Sequence, residues 1–200
     1  MQRAKKTLQN SSPKPLPRQL MKMHLTGKLF NRIHRLLLGT MGSKKTIIQY
    51  LRKKGVTIGQ DCEINTMFFS TEPYLIEIGN QVRIASGTQF ITHDGSIMCF
   101  RDELKGGIFG KIKIGNNVFI GINCIILLNT NIGDNCIIGA GSVVRGNFAA
   151  NSVIIGNPAK VVSNTALQKL LFRNNPGFIK TNNLTPSQKD KMVKKHFGIG

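Results

Sequence analysis

Between Ile114 and Ala150 every sixth residue is apolar: Ile114, Ile120, Ile126, Ile132, Ile138, Val144 and Ala150. Glycine follows the apolar stop at 115, 121, 133 and 139. Four places after each stop come Val118, Cys124, Thr130, Cys136, Ser142 and Phe148, mostly small side chains. The rhythm also runs upstream, through Ile58-Gly59, Ile78-Gly79, Ile84-Ala85 and Phe90. A strand alternates with period two and a helix repeats near 3.6, so a period of six fits neither. It fits short strands separated by turns, with one inward aliphatic residue per face. Three faces make one coil of a triangular prism, which is a parallel β-helix. The Gly and Asn residues of "IGNN" and "IGDN" are expected to supply the backbone conformations of the corners.

The rhythm fails once. From Phe90 to Ile114 is 24 residues, but the intervening stops, Ser96 and Asp102, cannot fill a core. The coil is therefore expected to open into an excursion over 93–113. A loop of that length in a compact solenoid is generally functional. His93, the only histidine of the coil region, stands at its root beside Asp94. Cys99 lies within the loop.

The flanks have a different character. Of 28 Lys and Arg residues, 14 fall within 1–54, a segment with no acid, and 7 within 165–200. The middle is close to neutral. Few aromatics, and no helix-turn-helix, RRM or zinc-finger pattern, exclude nucleic acid as the partner. Two readings of the basic ends stay open: contact with an anionic membrane, or a solvated surface. Residues 1–54 read as a basic arm over 1–20 followed by helices, one in "GKLFNRIHRLLLG" and one in "SKKTIIQYLRKKG" with Ser43 as a candidate cap. Residues 55–163 are the β-helix domain, and 164–200 a helical extension. There "NTALQKLLFRNN" starts at Asn164 or Thr165, and "TPSQKDKMVKKHFG" at Thr185 with Pro186 in the first turn. The fold class is thus an all-β core with short α-helical extensions at both ends. Cys62, Cys99, Cys124 and Cys136 have no metal-ligand spacing, so free and mostly buried thiols are expected, with no metal. The start of the chain lacks an apolar signal region and "HRLLLG" is too short to span a bilayer, so a cytoplasmic protein is expected, if membrane-associated then at the inner face.

The stretch "IGNNVFIGINCIILLNTNIGDNCIIGAGSVVRGNFAANSVI", ending in "IGNPAKVV", resembles the left-handed β-helix, hexapeptide-repeat acyltransferases over roughly 55–163. The segment "GAGSVV…NSVIIGNPAKVV" resembles the branch with maltose, galactoside, xenobiotic and polysaccharide acetyltransferases, and "FITHDGS" the polysaccharide group. The resemblance implies left-handed coiling, acetyl-CoA as cosubstrate, a carbohydrate acceptor in capsule, O-antigen or exopolysaccharide synthesis, and a homotrimer with its active site between neighbours. It implies His93 as the general base, since acetyl transfer to a hydroxyl needs a proton acceptor and an imidazole suits neutral pH. Asp94 has three readings: it orients His93, it binds the acceptor, or it serves the turn before Gly95. Asn65 matches the asparagine with which galactoside-type relatives hold the acceptor, and also reads as part of a corner ladder. For CoA the resemblance points to Gly121, Ile122, Gly139, Ala140, Ser142, Arg145 and Lys160. At 145–146 relatives commonly have Thr-Lys where this chain has Arg-Gly.

Other activities fit a β-helix as well. An N-acetyltransferase of a nucleotide-linked amino sugar fits the coil, but no GxGxxG unit accompanies it. A β-helix carbonic anhydrase needs three histidine ligands, and the coil has one. A non-catalytic scaffold would leave His93 dispensable.

Overall fold

The structure, a computed structural model, describes residues 44–199. The expected arm over 1–20, the helix in "GKLFNRIHRLLLG", the Ser43 cap, His24 and His34 lie outside the described residues.

The six-residue period becomes a three-faced prism of short parallel strands. Face one stacks β1 (Thr57–Ile58), β4 (Ile76–Ile78), β9 (Ile112–Ile114) and the second half of β11 (Ile125–Ile132). Face two stacks β2 (Glu63–Ile64), β5 (Arg83–Ile84), β10 (Phe119–Ile120), β12 (Ile137–Ile138) and β14 (Ser152–Gly156). Face three stacks β3 (Phe68–Phe69), β6 (Gln89–Phe90), the first half of β11 and β13 (Val143–Phe148). Equivalent residues lie directly above one another, so each face carries one column of core side chains. On face two the column is Ile64, Ile84, Ile120, Ile138 and Ile154, none more than 1% exposed. Each contributes about 1.5–3 kcal/mol by leaving water.

The small residues two places before the core stops do more than save space. Cys124 Sγ donates to Gly139 O at 3.2 Å and Cys136 Sγ to Ala149 O at 3.2 Å, each a carbonyl of the following coil. Thr88 Oγ1 donates to Gly121 O at 2.8 Å, and Thr130 Oγ1 reaches Leu127 O and Val144 O. Each buried donor thus finds a backbone carbonyl as its acceptor. Burial raises the pKa of both the Cys124 and Cys136 thiols, in keeping with this role. All four cysteines are free; these two are buried, Cys62 is half-buried and Cys99 exposed.

The corners divide their labour differently from the expectation. The left-handed backbone is adopted by Asp61, Gln81, Asn117, Asn123, Asn135 and Asn151, with φ between 52° and 64°. The glycines after the core stops are needed for closeness instead. A Cβ on Gly133 would lie 2.5 Å from Ala150 N, and one on Gly121 2.6 Å from Ala140 N. The last coil also departs from strict period six. Ile132 pairs with Phe148 and Ile138 with Ile154, so that coil is two residues short. Ala150, a core stop by its spacing, therefore lies exposed on a corner.

Helix α1 (Lys44–Lys53) closes one end with Ile47 and Leu51 buried one turn apart. Its Arg52 guanidinium donates to Ile58 O at 2.9 Å and Gly59 O at 2.6 Å. At the other end β15 (Ala159–Asn164) turns back antiparallel on β14 and covers its edge. The parallel coil thus ends at Gly156, before the expected 163. Helix α2 (Thr165–Arg173) follows, capped by Asn164, and α3 (Pro186–His196) is opened by a Thr185–Gln188 capping box. No helix among the described residues is long and apolar enough to cross a membrane.

Candidate active site

The excursion leaves the prism where face three turns into face one. Ladder partners are 18 residues apart at Ile114–Ile132 but 36 apart at Ile78–Ile114 and Phe90–Ile126. One coil's length of chain is therefore extruded. Ile112 already pairs with Ile76 and is fully buried, so the excursion ends two residues before the expected 113. Its neck is tied: Ile91 N donates to Ile126 O at 2.8 Å, and Gly110 N to Thr92 O at 2.9 Å. Just beyond, β7 (His93–Asp94) and β8 (Ile108–Phe109) form a two-strand antiparallel ribbon. His93 stands on the rigid base of this ribbon, with the Phe109 ring edge-on at 6.4 Å.

The partner of His93 is Glu72. Phe69 stacks on Phe90 at 4.7 Å and sets two coils in register, which brings the turn after β3 alongside the neck. From that turn Glu72 Oε2 lies 2.9 Å from His93 Nδ1. Thr92 Oγ1 donates to the same oxygen at 2.8 Å and Thr71 Oγ1 to Oε1 at 2.6 Å. Ser70 Oγ is 3.1 Å from His93 Nδ1. The Thr71 hydroxyl first, then His93 and Thr92, hold the Glu72 carboxyl down at about 2. An ionised carboxylate only accepts, so Nδ1 carries the imidazole proton. Nε2 is left as the basic nitrogen on a side chain 43% exposed, against 16% for Glu72.

Asp94 does not share this pair. Its Oδ1 accepts from Ser96 N at 2.9 Å and caps the 3-10 turn Gly95–Phe100. The Ser96 hydroxyl and amide lower its pKa, helped by the charges of Arg145 and His93. Of its three readings, the turn role is the one with a bond, and the carboxylate against the His93 ring is that of Glu72. Asn65 is exposed on the first coil, its Nδ2 3.3 Å from Glu63 Oε1.

The residues singled out for CoA divide between two corners. Gly121, Ile122, Gly139 and Ala140 border the corner between faces two and three, across face three from His93. Ile122 and Ala140 are exposed there. Arg145 follows the core stop Val144 on face three, on the His93 side, where its charge acts on Asp94. Lys160 is exposed on β15. The Ser142 hydroxyl is not free to meet a ligand: fully buried, it donates to Gly139 O at 2.7 Å and accepts from Gly156 N at 3.1 Å.

Residues 111–146 match the family model described as bacterial transferase hexapeptide (six repeats). Protein CapG of Staphylococcus aureus is 44% identical over 134 residues, covering 65% of this chain and 78% of that protein. The chain belongs to the hexapeptide-repeat acyltransferases. The galactoside O-acetyltransferase of Escherichia coli is 32% identical over 108 residues, 54% of this chain and 53% of that enzyme. The crystal structure of a maltose O-acetyltransferase from Clostridium difficile superposes with a TM-score of 0.50 at 26% identity, covering 74% of this chain and 89% of that one. As a hexapeptide-repeat acyltransferase the chain is an enzyme built on the left-handed parallel β-helix. Glu72 is the site residue that spacing alone did not reveal. Its signal was there: Glu72 precedes His93 by 21 residues, the same offset that separates the stacked pair Phe69 and Phe90.

Proposed function

We propose that the protein transfers an acetyl group from acetyl-CoA directly to a sugar hydroxyl, with His93 as general base and Glu72 as its positioning residue. The observation that carries this reading is the His93–Glu72 pair at 2.9 Å on the hydrogen-bonded neck, with the imidazole 43% exposed. Nε2 takes the hydroxyl proton as the oxygen attacks the thioester carbonyl. The tetrahedral oxyanion then collapses, the C–S bond breaks, and the CoA thiolate recovers the proton from the imidazolium. No enzyme-bound acyl group is needed when donor and acceptor are held together. The names of the galactoside and maltose relatives support a sugar hydroxyl as acceptor. The "FITHDGS" resemblance supports a capsule, O-antigen or exopolysaccharide sugar.

The proposed trimer rests on the two corners. His93 and the Gly121–Gly139 corner lie on opposite edges of face three, so a site using both draws them from neighbouring copies. Light scattering is expected to return a trimer; a monomer at micromolar concentration contradicts this arrangement. The basic segment 1–54 is proposed to dock on anionic lipid at the cytoplasmic face. Flotation with anionic vesicles that weakens with salt and is lost without 1–54 supports docking; unchanged flotation rejects it. Release of free thiol from acetyl-CoA with a panel of sugar acceptors tests the reaction itself. Thiol release that no sugar stimulates would refute it.

A further inference from the structure

Face two carries a groove that the transfer reaction does not use. It has a volume of about 880 Å³ and lies between helix α2 and the corner joining faces one and two. Its floor is the outward side of the coils: Phe119, 46% exposed, and Ile137 beside it. One wall is an amide ladder, in which Asn117 Nδ2 donates to Asn135 Oδ1 at 2.9 Å and Asn135 Nδ2 to Asn151 Oδ1 at 3.1 Å. Cations stand on the lining at Arg83 and Lys169. Arg83 gives Nη1 to Glu63 at 2.7 Å, which uses one nitrogen of a guanidinium with five N–H donors. Asp134, beside Asn135, accepts from the backbone amide of Asn116, one column away, at 2.7 Å.

We propose that this groove is a subsite for an acidic linear oligosaccharide, holding a polymeric acceptor away from the atoms that react. The proposal rests on the reading that the acceptor is a carbohydrate. A solenoid repeats its side chains at each coil, about 4.8 Å apart. The amides of Asn117, Asn135 and Asn151 recur at that interval, which matches a ligand whose hydroxyls recur at a similar one. An aromatic side chain offers an apolar platform to one sugar face. The Lys169 ammonium, with the remaining N–H donors of the Glu63-paired Arg83, selects rings that carry carboxylates. The groove is on face two, whereas His93 leaves the corner between faces three and one. A chain lying here would thus occupy ground distinct from the acetylated hydroxyl.

The test is calorimetric binding to the full chain without acetyl donor, with galacturonic acid hexamer and maltohexaose as probes. The acidic hexamer is expected to bind, more weakly as salt rises, and the neutral one at least about tenfold more weakly. Phe119→Ala and Lys169→Glu should each lower affinity about tenfold, the scale expected for one well-covered ring or one paired charge. Their melting temperatures should match that of the unaltered protein, and His93→Ala should bind as it does. Equal affinity for both probes, indifference to both groove substitutions, or no binding of either probe overturns the proposal. A failure of the transfer reading would register elsewhere, as full turnover in His93→Ala, and would leave these affinities where they are.

Discussion

Glu72 is the residue whose replacement separates positioning from proton transfer. Its Oε2 meets His93 Nδ1 at 2.9 Å and Thr92 Oγ1 at 2.8 Å, while Oε1 meets Thr71 Oγ1 at 2.6 Å. In Glu72→Gln the amide can present its oxygen where Oε2 was. The imidazole then keeps a neutral acceptor in place of a charged one, a loss of about 1 kcal/mol. That converts to a fall of roughly fivefold to tenfold in kcat. In Glu72→Ala the acceptor is gone, and the ring loses both its tautomer and its orientation. Removing such a supporting carboxylate typically costs up to about 100-fold. Thiol release should therefore rank unaltered protein, Asp94→Ala, Glu72→Gln and Glu72→Ala in falling order. KM for acetyl-CoA should barely move. The melting temperature should fall in both Glu72 variants, which lose or weaken the bonds of Thr71 and Thr92. Turnover is therefore compared well below the melt, where a merely structural role would leave kcat unchanged. Full kcat in Glu72→Ala, or a larger loss in Asp94→Ala, would refute the assignment.

The same carboxylate carries a pH prediction. Its pKa is about 2 in the folded chain against 4.5 for an ordinary glutamate. A depressed carboxylate stabilises the fold above its unfolded value and ceases to do so as pH falls through the folded one. Melting temperature should thus drop between pH about 4.5 and about 2, and less steeply in Glu72→Gln, as scanning calorimetry can show. Gly133→Ala should destabilise by about 1–3 kcal/mol through overpacking, because its Cβ would meet Ala150 N at 2.5 Å; denaturant melts check this.

The prism was legible because each core stop answers to one physical demand, an inward aliphatic side chain on a two-residue strand. Ile64 to Ile154 on face two meet that demand directly. Ala150 did not, since the last coil is two residues short and spacing cannot register a shortened turn. Asn117 and Asn135 take the left-handed corner backbone as expected, but Gly115 and Gly133 serve closeness, because only stacked coils show whether φ or closeness requires a glycine. At the site, His93 was visible as the one coil histidine at a broken repeat. Glu72 was not, because the pair is made between coils and depends on the register of Phe69 on Phe90. Asp94, the sequence neighbour of His93, bonds Ser96 rather than the imidazole, since neighbouring residues on a strand face opposite sides. Ser142 likewise matched a motif while its hydroxyl is committed inside the corner.

The most direct test of the account is the turnover of His93→Ala with a sugar acceptor. Loss of a general base predicts a fall in kcat of about 10²–10⁴, with oligomeric state, melting temperature and CoA affinity held. Turnover near that of the unaltered protein would contradict the account, and so would a loss of activity that tracks a loss of folding.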